Sequence, residues 1–332
     1  MLLTATIRFS SLLNALPGSV AQGLIWGILA IGVYMTFRLL DFADLTVDGS
    51  FATGAAVAVM LIRAGVSPWI AIVVAFAVGG LCGMITGLLH TTLGIPGILA
   101  SILTQISLYS INLTIMGKAN QPVVAQEGRY LLASLGYVNN KDTFIKTLFF
   151  VGLIVGLIVL ISVTYWFFGT EIGQAIRATG CNENMSRAQG INVNFMKVVT
   201  LMISNAFFGL SGALYAQYQG AADVQMGRGA IVIGLAAVII GEVLFGSFCA
   251  KQKMAFWYTL VSVVIGSILY FIVYATVIWL RLPSELMKMF SAIIVAIFLA
   301  IPYLKAKYTK APPVKVAAAP IPEKAQEEAK SE

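Results

Sequence analysis

Residues 68–90 read PWIAIVVAFAVGGLCGMITGLLH. The run carries no Asp, Glu, Lys or Arg. At about 1.5 Å rise per helical residue it is long enough to cross the roughly 30 Å hydrocarbon layer of a bilayer. Within it Ala71, Ala75, Gly79, Gly83 and Gly87 recur at every fourth position, so one face of the helix is a ridge of small side chains that lets a neighbour approach closely. The unit from which the rest of the chain is read is therefore a membrane-spanning helix shaped to pack against another.

Working outward, apolar segments at 18–40, 49–62, 68–90, 96–117, 143–168, 196–219, 229–249, 254–279 and 286–304 give about nine such helices. Composition agrees: of 332 residues 59% are hydrophobic and 11% charged, against about a quarter charged in an ordinary soluble domain. The expected fold class is all-α, a polytopic membrane helix bundle. Segment 49–62 is short for a span, and Asp41, Asp44 and Asp48 stand before it or in its entry. A broken or partly unwound element is expected there, because irregular backbone at membrane depth survives only when buried in protein or facing water.

Residues 1–17 contain Arg8, run into Pro17-Gly18 and show no small-residue cleavage pattern. They read as a short interfacial segment preceding a transmembrane domain at 18–304. Residues 305–332, rich in Ala, Pro, Lys and Glu, read as a disordered tail, and Lys305, Lys307 and Lys310 at its root favour a cytoplasmic C-terminus.

The net charge of +7 sits mainly between spans and at the C-terminus, which points to membrane-surface anchoring and away from nucleic acid. Cys82, Cys181 and Cys249 are scattered and read as free thiols, and His90 is the sole histidine. A metal site and His-based catalysis are not expected. The Gly117-Lys118 pair is followed by Ala119 and lacks the upstream glycine of a phosphate-binding loop. Any ATP is expected on a separate subunit, with no cofactor bound by this chain.

An offset of 180 residues aligns Gly32 with Gly212, Gly49 with Gly229, Gly54 with Gly234 and Ala56 with Ala236. If the polar loop at 169–195 is cytoplasmic and residues 118–142 face outward, the two copies run in opposite directions, the inverted repeat common in transporters.

That polar loop is the most specific motif. Residues 170–199, TEIGQAIRATGCNENMSRAQGINVNFMKVV, form a polar excursion between two spans with a break at Gly180, Asn182 as N-cap and a short helix closing at Gly190. Arg177-Ala178-Thr179-Gly180, then Asn182, Arg187 and Gly190-Ile191-Asn192-Val193, resemble the coupling segment of permeases of the branched-chain amino acid and ribose class of ABC importers. The resemblance covers most of 20–305. DFADLTVDGSFATGAAVA from Asp41 and LYSINLTIMGKANQP from Leu108 look closest to the tryptophan/tyrosine-type or uncharacterised amino-acid permeases. It implies a type II importer-like fold in the bacterial cell (inner) membrane and a dimer with a second permease copy. It further implies a cytoplasmic ABC ATPase carrying ATP and Mg, docked on the coupling segment, and an extracellular substrate-binding protein or lipoprotein.

The coupling residues expected from this reading are Arg177, Asn182, Glu183, Met185, Arg187 and Gly190, with Met185 and Ala188 as the apolar centre of the dock. For the translocation path or gate the candidates are Asp44, Asp48, Gln105, Tyr109, Asn112 and Glu242. The acids near 44–48 also suit capping of the next helix. Glu242, within an apolar run, is a functional candidate by its depth or a partner of Arg228 or a neighbouring helix. Gln105, Tyr109 and Asn112, like Tyr215, Gln217, Tyr218 and Gln219, suit interhelical hydrogen bonds as well as a path. A secondary transporter or channel is the alternative, and it would need an ion or proton relay at mid-membrane.

Overall fold

The computed structural model describes residues 9–123, 143–249 and 255–279, with isolated positions between 289 and 300. The tail at 305–332, most of the segment at 286–304 and residues 124–142 of the polar stretch expected to face outward lie outside the described residues. Described are α1 (Phe9–Tyr34), a π-helical turn (Met35–Leu39), α2 (Val47–Arg63), α3 (Pro68–Thr91), α4 (Gly97–Met116) and β1 (Asn120–Pro122). They are followed by α5 (Thr143–Gly169), α6 (Glu171–Cys181), α7 (Glu183–Ala188), α8 (Val193–Gln219), β2 (Ala221–Asp223), α9 (Ala230–Cys249) and α10 (Ala255–Trp279). Eight of these helices match the first eight apolar segments, whereas α6 and α7 come from the polar loop. α1 runs without interruption through Pro17, so residues 9–17 are continuous with the first span.

Six described helical segments are long and apolar enough to cross a membrane. The first, Ala15–Leu39, is 83% buried, while Phe150–Gly169 in α5 is 17% buried. α1 is therefore the axis of the bundle and α5 a peripheral helix whose Val155, Val159 and Val163 are exposed. In a bilayer such a face meets lipid tails.

Hydrogen bonds fix the helix directions. Tyr218 donates to the Gly18 carbonyl and Gln22 to the Tyr215 hydroxyl, both 3.1–3.2 Å, so the start of α1 lies beside the end of α8. Arg63 at the end of α2 donates to the Pro122 carbonyl of β1 at 3.1 Å, and β1 pairs antiparallel with β2. This end of the bundle is the ribbon face. The loop helices α6 and α7 occupy the other end.

The ridge on α3 packs on α8. A Cβ added at Gly79 would stand 2.4 Å from the Asn205 carbonyl oxygen, and one at Gly83 2.0 Å from that of Leu201. No side chain fits at such contacts, which explains the glycines. α2 and α8 meet as closely: a Cβ on Gly54 would lie 2.1 Å from the Gly209 carbonyl oxygen. The repeat-related Gly234 of α9 abuts Leu29 and Val33 of α1.

The repeat is thereby visible in packing. α1, the break and α2 run toward the α6–α7 face and back, while α8, its break and α9 run toward the ribbon face and back. α3 packs on α8 as α10 packs on α1, where Gly23 and Gly27 press on Ile268 and Val264. The aligned glycines at 49 and 229 fall where α2 and α9 begin, and the two helix starts meet: Asp48 accepts from the Gly229 and Ile231 amides at 2.9 and 3.2 Å.

Candidate functional site: a polar cavity where two half-helices meet

Between the π turn and α2 the chain is non-helical from Leu40 to Thr46, entered through Asp41 at φ 55°. The first break thus has the unwound form expected from the three acids. Asp44 is 2% exposed. One of its carboxylate oxygens accepts from the Thr46 amide at 2.9 Å and the other from the Asn205 amide group at 2.7 Å. Ser50 donates to Asn205 at 2.5 Å. Thr46, Thr86 and Thr104 continue the contact across α2, α3 and α4 at 2.8 and 3.0 Å. A buried carboxylate survives only when its oxygens are satisfied, and this one is. Asp44 is a pin between helices and does not line the cavity described next.

Asp48 behaves differently. It was expected to line the path or cap the following helix, and it caps a distant one: the free amides at the start of α9 donate to it, satisfying groups that have no partner within the helix. It also lines a cavity of about 390 Å³ with Gly49, Gln105, Ile106, Tyr109, Asn112, Val224, Gln225 and Arg228. Four of the six path candidates, Asp48, Gln105, Tyr109 and Asn112, are thus brought together.

Gly49 makes the approach possible, because a Cβ there would lie 2.9 Å from Leu108 and 3.3 Å from the Gln105 Cα. Asn112 is fully buried, and neither its amide nitrogen nor its oxygen has a partner among the described residues. Unpaired buried amides are costly, which sets this one apart from the satisfied polar groups around Asp44. Arg228 is exposed into the same space and was missed as a path residue, although its place beside the repeat glycine Gly229 was a usable signal.

Glu242 does not join the cavity. It pairs with Arg38 of the π turn, with 26% of its side chain exposed and 47% of Arg38. Arg228 is therefore not its partner; α9 has carried Glu242 to the other end of the bundle. The acid on which a proton- or ion-coupled reading leaned is committed to a cation.

The α6–α7 face follows its sequence except at Gly180, where no break occurs: α6 runs through it to Cys181 and the chain turns at Asn182, the glycine serving a close approach to the Leu39 carbonyl oxygen. The Asn182 side chain accepts from the Met185 amide at 3.0 Å, α7 ends at Ala188, and Gly190 takes φ 82°. Thr170 and Asn192 cap α6 and α8 in the same way. Met185 is 60% exposed and Phe195 52%, with Arg187 exposed between the same caps.

Two coupling candidates point elsewhere. Glu183 lies 2.5 Å from Lys197 and 3.9 Å from Arg187, so it is tied mainly to α8. Arg177 stacks over the Phe256 ring at 5.0 Å. Phe195 was missed, since it lies beyond the helix on which the sequence reading centred.

The family described as branched-chain amino acid transport system / permease component matches residues 16–301. A tyrosine transport system permease protein of Clostridioides difficile (strain R20291) is 36% identical over 282 residues, 84% of this chain and 88% of that one. The ribose import permease protein of Escherichia coli (strain K12) is 25% identical over 69% of each chain. A probable branched-chain amino acid transport permease protein of Methanocaldococcus jannaschii is 26% identical, covering 60% of this chain and 64% of that one. Paired half-helices around a polar cavity, capped loop helices at one end and this match along nearly the whole bundle agree: the chain is a multi-pass membrane protein that belongs to the ABC-transporter permease family of branched-chain amino acid transport systems.

Proposed function

We propose that this chain is the membrane-spanning subunit of a bacterial ABC importer, carrying an amino acid inward across the cell (inner) membrane by alternating access. The observation that carries the proposal is the polar cavity at the meeting point of two oppositely directed half-helices, lined by Asp48, Gln105, Tyr109, Asn112 and Arg228. Half-helix ends at a repeat interface offer fixed partial charges to a polar solute, and rocking of one repeat against the other opens the site to each side in turn.

The cavity lies at the edge of α4, where Tyr109 is 45% exposed. Polar groups are costly against lipid. We read this open side as the seat of a second permease copy, with the solute passing between the copies. On this reading the α6–α7 face is cytoplasmic and receives the ATPase, which binds the ATP and Mg. An extracellular binding protein or lipoprotein delivers the solute to the ribbon face. The amino-acid assignment, with aromatic side chains favoured, follows the tyrosine permease relative.

Met185, Phe195 and Arg187 form the dock: two exposed apolar side chains beside a cation, the composition of an interface anchor. The test is co-reconstitution with the ATPase and binding protein in liposomes. Wild type is expected to show solute-stimulated ATP hydrolysis and uptake. Arg187→Glu should insert normally, lose ATPase on affinity capture and stop transport. Uptake that survives deletion of residues 183–189 would remove the docking assignment, and uptake without ATP would remove the importer reading.

A further inference from the structure

Behind Arg228 lies a second chamber, of about 400 Å³, lined by Trp26, Tyr215, Tyr270, Phe271 and Tyr274 together with Gln22, Val232 and Ile233. We infer that this chamber seats the ring of an aromatic amino acid in transit, while Arg228 at its mouth holds the carboxylate. The inference rests on the importer reading above and adds the place where the side chain is recognised.

Three observations support it. Arg228 lines both chambers, and its neighbour Gly229 lines the second while donating to Asp48 in the first. A zwitterion at this junction has both a guanidinium and a carboxylate within one lining. The chamber walls are rings held at fixed angles: Trp26 stands edge-on to Tyr215 at 5.5 Å and tilted to Phe271 at 5.6 Å, while Tyr274 stacks on Tyr270 at 12°. Edge-to-face and offset arrangements of this kind are the ones another aromatic ring completes favourably, and the volume falls within the range of about 300–1,000 Å³ usual for small-molecule sites. Finally, the Trp26 indole nitrogen is buried and has no acceptor among the described residues. In an apolar wall that is a cost, and the hydroxyl of a phenolic ring, entering as the repeats move, supplies the missing acceptor.

The experiment uses the assembled transporter in nanodiscs with 4-azido-L-phenylalanine as a photoprobe. Labelled peptides are expected to contain Trp26, Tyr215 or the Tyr270–Tyr274 stretch, and labelling should be suppressed by excess L-tyrosine but not by L-leucine. Label confined to lipid-facing α5, or label in the chamber that L-tyrosine does not displace, as an acyl-chain site would give, overturns the inference. Tyr274→Leu, at a half-buried ring, should raise the KM for L-tyrosine uptake by about three- to tenfold with little change in kcat, the worth of one aromatic contact. An unchanged KM counts against the chamber. Wild-type transporter that takes up L-leucine in an ATP-dependent way and ignores aromatic amino acids sinks this inference while leaving the importer reading intact. Uptake that proceeds without ATP sinks the importer reading itself.

Discussion

Asp44 and Asp48 flank the start of the same helix, yet the protein uses them in opposite ways. Around Asp44 the hydrogen bonds close on themselves: carboxylate to Thr46 and Asn205, Asn205 to Ser50, and threonines linking α2 to α3 and α4. Around Asp48 the set is open, with a carboxylate on a helix start, an exposed arginine and a buried amide that bonds to nothing described. Both carboxylates are satisfied, Asp48 by the Gly229 and Ile231 amides. What separates the two sites is their surroundings, closed and buried at Asp44 but cavity-lining at Asp48, beside an exposed Arg228 and an Asn112 amide with no partner among the described residues.

The sharpest way to break that contrast is at Asn205. Asn205→Leu leaves the Asp44 carboxylate buried with a lost donor and is expected to cost on the order of 3 kcal/mol, seen as a marked fall in melting temperature and in inserted yield. A wild-type melting temperature would mean that the network is not a structural pin. A smaller and oppositely signed effect is expected at Asn112. Asn112→Leu removes an unpaired amide and should hold or raise stability, by about 1 kcal/mol, while uptake falls about tenfold, the equivalent of 1.4 kcal/mol in the barrier. If stability drops and uptake persists, the open side of the comparison is wrong. The least effect belongs to Glu183→Gln on the loop face, which removes the partner of Lys197, a side chain 12% exposed, and is expected to cost no more than about 1 kcal/mol. A small fall in melting temperature and normal ATPase capture are expected, and loss of capture would move Glu183 into the dock.

Much of the fold was legible because spans and small-residue ridges are local signals. The ridge from Ala71 to Gly87 predicted close approach, and the structure supplies α8 as the neighbour. The repeat was legible at Gly49 and Gly229, although the two helix starts need glycine for different reasons, close approach to Leu108 at Gly49 and a φ of 87° at Gly229. The partners of the acids were not. Asp48 reaches an amide at residue 229 and Glu242 an arginine at residue 38, and nothing in local sequence encodes contacts at such separations. The same limit hid the aromatic chamber, whose rings come from α1, α8 and α10.

A Cβ on Gly180 would stand 1.8 Å from the Leu39 carbonyl oxygen, so α6 rests directly on the main chain of the first break. A side chain between two helices can absorb motion by changing rotamer, but main chain against main chain has no such slack, and packed interiors compress little. The joint works as a bearing rather than a cushion. A displacement of the loop helices would be passed to Leu39 and Leu40, which lead into the unwound chain that holds Asp44 and ends at Thr46, two residues before Asp48.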